Sequence, residues 1–232
     1  MRQVIRDLEI EIKENEVLNY LGYVAGKTEI NPEIMFLVKK MIEEAKELYT
    51  GLCIVSTQKI KLNPNNELTL PFASKINFNS LTVKEKLKKN TKFISLIAVT
   101  IGGRLEQKVE ELFTRGRYTE SLILDAVGSA AVENLADQLE KEMNKKAEIY
   151  GYSLTPRFSP GYGDWPLFNQ REIIRAINAE EFGITVNHSD MLIPRKSITA
   201  ILGWSKGGSE PEQKCINKCS HCAKSDCKFR SN

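Results

Sequence analysis

Apolar residues recur every three or four positions in several stretches of this chain, which is the spacing that places side chains on one face of an α-helix. The clearest helix start is Asn31, an N-cap residue followed by Pro32 and an acid, and the periodic stretch behind it ends at Gly51. The same spacing predicts further helices over residues 82–89, 104–114, 119–146 and 168–179. Amphipathic helices therefore make up much of the chain.

Short runs of β-branched and apolar residues predict strands between these helices. Residues 93–101 form a continuous apolar run, which favours a central strand buried on both faces. Shorter strand patterns cover residues 8–13, 53–57, 59–62, 67–70, 184–187 and 197–204. The mixed order of helices and strands allows an α+β fold.

Composition describes a globular protein with a mixed surface. The chain has 232 residues, 41% of them hydrophobic, and its net charge is +3 from 33 basic and 30 acidic side chains. This balance points to neither nucleic acid nor an anionic membrane as a partner. The run at 93–101 is far shorter than the roughly 20 residues of a membrane-spanning helix, and charged residues stand where a signal peptide is apolar. We therefore expect a cytoplasmic protein.

The C-terminal end differs in composition from the rest. A Gly- and Ser-containing hinge at 206–211 predicts a division into a domain at 1–205 and a tail at 206–232. The tail carries four of the five cysteines: Cys215, Cys219, Cys222 and Cys227. Four thiolates at this spacing suggest a zinc site or Fe–S ligands, and the alternative is free or redox-labile thiols.

The middle of the long 119–146 helix contains four small residues, Gly128-Ser-Ala-Ala131. Glycine in a helix interior costs about 1 kcal/mol relative to alanine, so the site favours close approach of another backbone or a ligand. Close helix packing is the simpler alternative.

The stretch R-F-S-P-G-Y-G-D-W-P-L at 157–167 has the composition of a binding loop. Two prolines remove N–H donors, and two glycines permit φ > 0 and close approach of a ligand. Arg157 supplies a planar cation for a carboxylate or phosphate, and Tyr162 and Trp165 offer flat faces. The alternative is a structured turn whose aromatic residues fill the core.

The run R-F-S-P-G-Y-G from Arg157, with Ile184-Thr-Val and Pro194-Arg-Lys-Ser-Ile-Thr-Ala, resembles the activation domain of vitamin B12-dependent methionine synthase. That family binds S-adenosylmethionine through an R-x-x-x-G-Y loop. The resemblance extends back over the helix at 128–137 and covers residues 95–205, whereas residues 1–90 match loosely. It implies an α+β fold with a bent, largely antiparallel sheet.

The resemblance also implies roles for individual residues. Arg157 would hold the ligand's carboxylate, and the main chain of Ser159, Gly161 and Tyr162 would hold the adenine. Glu133 would pair with the ligand's ammonium group. No side chain is required as an acid or base, because the protein acts by positioning the sulfonium methyl group.

Two features depart from the family. A ligand-binding acid near the N-terminus has no clear counterpart at residues 17–23, where Asn19 is the nearest polar candidate. An aromatic residue near the methyl group is replaced by the pair Ile201-Leu202. Affinity for the ligand and approach to cobalt are therefore expected to differ.

The resemblance finally implies partners. The chain lacks the modules that bind homocysteine, folate and cobalamin, so it would serve as a separate activation subunit that does not make methionine by itself. It would support reductive remethylation of cob(II)alamin on a cobalamin-binding methionine synthase that lacks its own activation domain. A flavodoxin or ferredoxin would supply the electron. The alternatives are a non-catalytic module that docks on a corrinoid protein, and an electron-delivery protein with a Cys-ligated Fe–S cluster.

Overall fold

A computed structural model describes residues 2–24, 27–62, 68–69, 76, 80–87 and 90–206 of the chain. The α-helices are α1 (Glu14–Tyr20), α2 (Pro32–Ala45), α3 (Leu81–Lys86), α4 (Arg104–Thr114), α5 (Tyr118–Ile149) and α6 (Asn169–Ile177). The strands are β1 (Arg2–Ile5), β2 (Leu52–Lys59), β3 (Lys61–Leu62), β4 (Leu68–Thr69), β5 (Thr91–Thr100), β6 (Tyr152–Leu154), β7 (Thr185–Val186), β8 (Leu192–Ile193) and β9 (Ser197–Lys206).

Five of the strands form an antiparallel sheet in the order β1-β2-β5-β9-β6. The predicted α+β fold with an antiparallel sheet is therefore confirmed. Strand β5 is central, pairing with β2 from Phe93 to Thr100 on one side and with β9 on the other. The apolar run at 93–101 was expected to be such a strand. The pairs β3-β4 and β7-β8 lie outside this sheet.

The sheet separates two cores, and alternate residues of β5 enter each of them because successive side chains of a strand point to opposite faces. Ile97 and Val99 belong to a core shared with apolar residues of α1, α2, α4 and α5. Leu96 and Ala98 belong to a second core, which contains α6 and Trp165. This burial on both faces explains why the strand is continuously apolar.

The helices follow their sequence signals closely. At the start of α2, Asn31 Oδ1 accepts a hydrogen bond from the Glu33 backbone N–H at 2.8 Å, as the predicted N-cap requires. Helix α2 ends at Ala45, and a short 3₁₀ turn continues it to Leu48. Helix α4 has the predicted bounds, whereas α5 is longer than predicted and ends at Ile149.

The strand predicted at 8–13 is wrong. The strand near the N-terminus is β1, at Arg2–Ile5, and residues 8–13 have no regular structure. Alternate apolar residues of this segment pack on the helical core, but the Glu11 backbone N–H donates to Asn134 Oδ1 of α5 at 3.0 Å. The alternation of apolar and polar residues at 8–13 therefore comes from a segment that packs one side against the helices, and not from a strand.

None of the helices in the described part of the chain is both long and apolar enough to cross a bilayer.

Candidate functional site

The 157–167 loop leaves the sheet beside β9. Phe158 forms an isolated β-bridge with Ile201, through two backbone hydrogen bonds of 3.0 and 2.9 Å. Because neighbouring residues of an extended chain point in opposite directions, Phe158 enters the core containing α6 and Arg157 reaches α5. Beyond the bridge, Gly161 and Gly163 have φ values of +90° and +56°, so the predicted left-handed backbone is present.

The two aromatic residues of the loop have different environments. Trp165 is 1% exposed and stacks on Phe158, with ring centroids 5.7 Å apart. The expectation that Trp165 offers a face to a ligand is therefore wrong, because its indole fills the core. Tyr162 is 66% exposed and remains open to a ligand.

Arg157 lies against three carboxylates of α5. Nη1 donates to Asp137 Oδ1 at 2.6 Å and to Glu140 Oε2 at 2.8 Å, and Nη2 donates to Glu133 Oε2 at 2.7 Å. The Arg157 side chain is only 12% exposed. Burial by itself lowers the pKa of Arg157, but attraction from Asp137 and Glu133 outweighs it and keeps the pKa above its usual value.

The three acids stand on one face of α5 because they are separated by four and three positions. Glu133 was predicted as a site residue, whereas Asp137 and Glu140 were missed. Their helical spacing is a signal that the sequence contains. The sequence does not show which part of the protein this face of α5 contacts, because that depends on how α5 packs beside the loop.

Tyr20 of helix α1 lies near Glu133 and Asp137. Partial burial raises the pKa of Tyr20 to about 12, and the charges of Glu133 and Asp137 and the Tyr162 hydroxyl add to the shift. Tyr20, which sequence reasoning did not name, therefore lies within electrostatic reach of this site. Sequence reasoning had named Asn19, the residue before it; both residues are exposed, and a contact between Asn19 and a ligand stays a prediction.

The loop main chain is already partly hydrogen-bonded within itself. The Gly161 N–H donates to the Trp165 carbonyl at 2.8 Å, and the Tyr162 N–H donates to the Ser159 carbonyl at 3.4 Å. The predicted adenine contacts at these residues would therefore involve other main-chain groups or a rearrangement of these two bonds.

The small residues of α5 accommodate protein side chains. A Cβ on Gly128 would lie 2.7 Å from Leu105 and 3.2 Å from Cε of Lys196. Lys196 Nζ also donates to Ser129 Oγ and pairs with Asp125, both at 2.9 Å. Close packing, the simpler of the two readings, therefore explains this patch.

One carboxylate holds the loop against α3. Asp164 accepts hydrogen bonds from the Ser80 hydroxyl at 2.5 Å and from the backbone N–H groups of Leu81 and Thr82 at 2.7 and 3.1 Å. These bonds, that of the Ser80 side chain above all, hold the pKa of Asp164 well below its usual range. The loop also approaches α3 closely at Gly163, where a Cβ would lie 2.7 Å from Thr82 Oγ1.

We expect Asp164→Asn to lower the melting temperature at neutral pH, because an amide nitrogen cannot accept the bond from Leu81. A carboxyl group whose pKa is lower in the folded state than in the unfolded state stabilises the folded state at pH values above its unfolded-state pKa. This stabilisation is lost as the pH falls towards the folded-state pKa. The difference between wild type and variant should therefore narrow below about pH 4. Thermal unfolding followed by circular dichroism over this range tests it. A difference that stays constant through the acid range would show that the carboxylate charge is not what holds the loop.

The predicted metal ligands, Cys215, Cys219, Cys222 and Cys227, lie outside the described residues. Within the described ranges, no group of three or more His, Cys, Asp or Glu side chains is arranged to hold a metal ion. Metal binding by the tail stays a prediction.

No protein family model matches this chain, and no curated protein matches it. Among solved structures, the chain is similar to the crystal structure of the MetH reactivation domain bound to AdoHcy (S-adenosylhomocysteine), with a TM-score of 0.62. The two share 14% sequence identity, and the match covers 90% of this chain and 80% of that chain. The chain therefore has the fold of this reactivation domain, and the resemblance seen in the sequence is confirmed at the level of the fold.

Proposed function

We propose that this chain binds S-adenosylmethionine along residues 157–163, with the ligand's carboxylate at Arg157 and its ammonium group at Glu133. The observation that carries this proposal is the position of Arg157, whose guanidinium lies between the loop and the acidic face of α5. Cation and acid stand side by side there, as the two charged groups of an amino acid require. The shared fold with a domain solved with AdoHcy supports the same assignment.

The reaction served would be the reductive remethylation of cob(II)alamin on a separate cobalamin-dependent methionine synthase. One electron from a donor such as a flavodoxin or ferredoxin, together with the sulfonium methyl group, converts cob(II)alamin to methylcobalamin and leaves S-adenosylhomocysteine. This chain's part is positioning: Arg157 and Glu133 hold the amino-acid end of the ligand so that its methyl group stays in one place. None of these side chains needs to gain or lose a proton.

The partner would be a cytoplasmic methionine synthase without an activation domain of its own. The cysteine tail at 206–232 would add a zinc or Fe–S centre, and elemental analysis of anaerobically prepared protein would identify the metal.

Calorimetric titration of the purified protein with S-adenosylmethionine and S-adenosylhomocysteine tests the proposed binding. We expect heat and a raised melting temperature with both, since a ligand that binds only the folded state stabilises it. ATP is the control, because it shares the adenosine but carries a polyphosphate in place of the amino acid. The proposal would be overturned if neither ligand, at about millimolar concentration, gave heat or raised the melting temperature.

A further inference from the structure

The three acids at Arg157 do not contact the same nitrogen. Asp137 and Glu140 both accept from Nη1, whereas Glu133 accepts from Nη2. A guanidinium group carries five N–H donors, two on each Nη and one on Nε. Both donors of Nη1 are therefore used by Asp137 and Glu140, and among the residues that the structure describes these three bonds leave the Nε donor and one Nη2 donor.

The remaining donors suit a carboxylate. Nε and Nη2 form one edge of the planar guanidinium, and a carboxylate that approaches an edge accepts two parallel hydrogen bonds. Glu133 is the acid at Nη2, so it is the acid that an incoming carboxylate would meet. A shift of Glu133 would place its carboxylate beside the ligand's ammonium group.

We infer that Asp137 and Glu140 are positioning residues, which hold Nη1 so that the Nε and Nη2 edge of Arg157 is presented to the ligand's carboxylate. This inference rests on the proposed binding of S-adenosylmethionine. Glu140 is the more enclosed of the two acids, with 23% of its side chain exposed against 55% for Asp137.

The net charge of the site also predicts that removal of Asp137 or Glu140 lowers affinity for S-adenosylmethionine. One guanidinium and three carboxylates carry a net charge of −2. S-adenosylmethionine carries a sulfonium, an ammonium and a carboxylate, and is therefore a net cation. Removal of Asp137 or Glu140 weakens the overall attraction as well as the orientation of Arg157, so both effects lower affinity.

The test compares two ligands that differ in the amino-acid group. S-adenosylmethionine has the carboxylate that Arg157 would bind, whereas 5′-methylthioadenosine lacks both carboxylate and ammonium. We expect Asp137→Asn and Glu140→Gln each to weaken S-adenosylmethionine binding by about threefold to tenfold, measured by calorimetry. Binding of 5′-methylthioadenosine should change by less than about twofold, because it makes no use of Arg157.

Two further comparisons complete the design. In an Arg157→Ala background, Asp137→Asn and Glu140→Gln should cause a smaller loss than in wild type, since the part that acts through the guanidinium is gone and only the effect of net charge remains. Glu142→Gln is the matched control, because Glu142 lies on the same helix and pairs with Lys145 at 2.7 Å, away from Arg157. It should bind both ligands as wild type does.

Each other result overturns the inference. Equal losses for the two ligands would show general damage to the site, and a loss that is undiminished without Arg157 would show that the acids act directly on the ligand. Unchanged or tighter binding of S-adenosylmethionine would show that the acids do not orient Arg157 or that they compete for it. In all these cases wild type still binds, so the proposed function survives. If wild type binds neither S-adenosylmethionine nor S-adenosylhomocysteine, the proposed function fails and this inference with it.

Discussion

Replacement of Arg157 by alanine is expected to weaken S-adenosylmethionine binding by roughly 2 to 5 kcal/mol. The Arg157 side chain is 12% exposed, so its hydrogen bonds form in a partly desolvated place. Without it, the ligand's carboxylate has no cation and faces Glu133, Asp137 and Glu140 instead. Lysine should restore part of the affinity, because its charge attracts the carboxylate without the two parallel donors of a guanidinium.

Calorimetry on wild type, Arg157→Lys and Arg157→Ala should therefore rank the three in that order. Reactivation of a partner that carries cob(II)alamin should fall in the same order, because the same contact positions the methyl group. Arg175→Ala is a suitable control, since Arg175 is an exposed arginine of α6 that pairs with Glu172. All variants should remain folded, because the acids at Arg157 are partly exposed and can be hydrated. Wild-type affinity in Arg157→Ala would show that the loop is only a turn.

Trp165→Ala should cost about 3 to 5 kcal/mol of the free energy of unfolding. The indole is 1% exposed and stacks on Phe158, so truncation leaves a large cavity in the core shared with α6. Phe158 is also the residue that anchors the loop to β9 through its bridge with Ile201. Loss of the tryptophan should therefore loosen the loop as well as destabilise the domain.

Urea denaturation measures this loss, and Tyr162→Ala is the matched control from the same loop. Tyr162 is 66% exposed, so its truncation should change stability by no more than about 0.5 kcal/mol. A similar small effect for Trp165→Ala would contradict the core role of the indole. Trp165→Phe, which keeps an aromatic ring on Phe158, should lie between the two.

The arrangement of the site depends on pairs of residues that are distant in sequence. Arg157 and Glu133 are 24 positions apart, and Asp164 and the Ser80 hydroxyl are 84 positions apart. The first pair brings cation and acid together, and the second holds the loop that carries the cation. Substitution of Arg157 or Glu133 should therefore affect binding by removing a contact with the ligand. Substitution of Asp164 or Ser80 should affect binding by displacing the loop.

The local elements of this protein could be predicted from the sequence because their causes are local. Asn31 caps α2 through a backbone N–H two residues away, and the glycines of the loop adopt positive φ by their own lack of a side chain. The central strand β5 was predicted because burial on both faces requires a continuous apolar run. Arg157 was singled out in the same way, as a fixed charge among turn residues, and its contact with a ligand stays a prediction.

Only the tertiary structure decided how those elements are used. Residues 8–13 alternate like a strand but lie along the helices, because alternation reports burial on one side and not the hydrogen-bonding partner. The core position of Trp165, the three acids at Arg157 and the contact of Asp164 with α3 all join separate elements. Such contacts depend on the packing of α5, α3 and the loop around one sheet, and no short stretch of sequence contains that information.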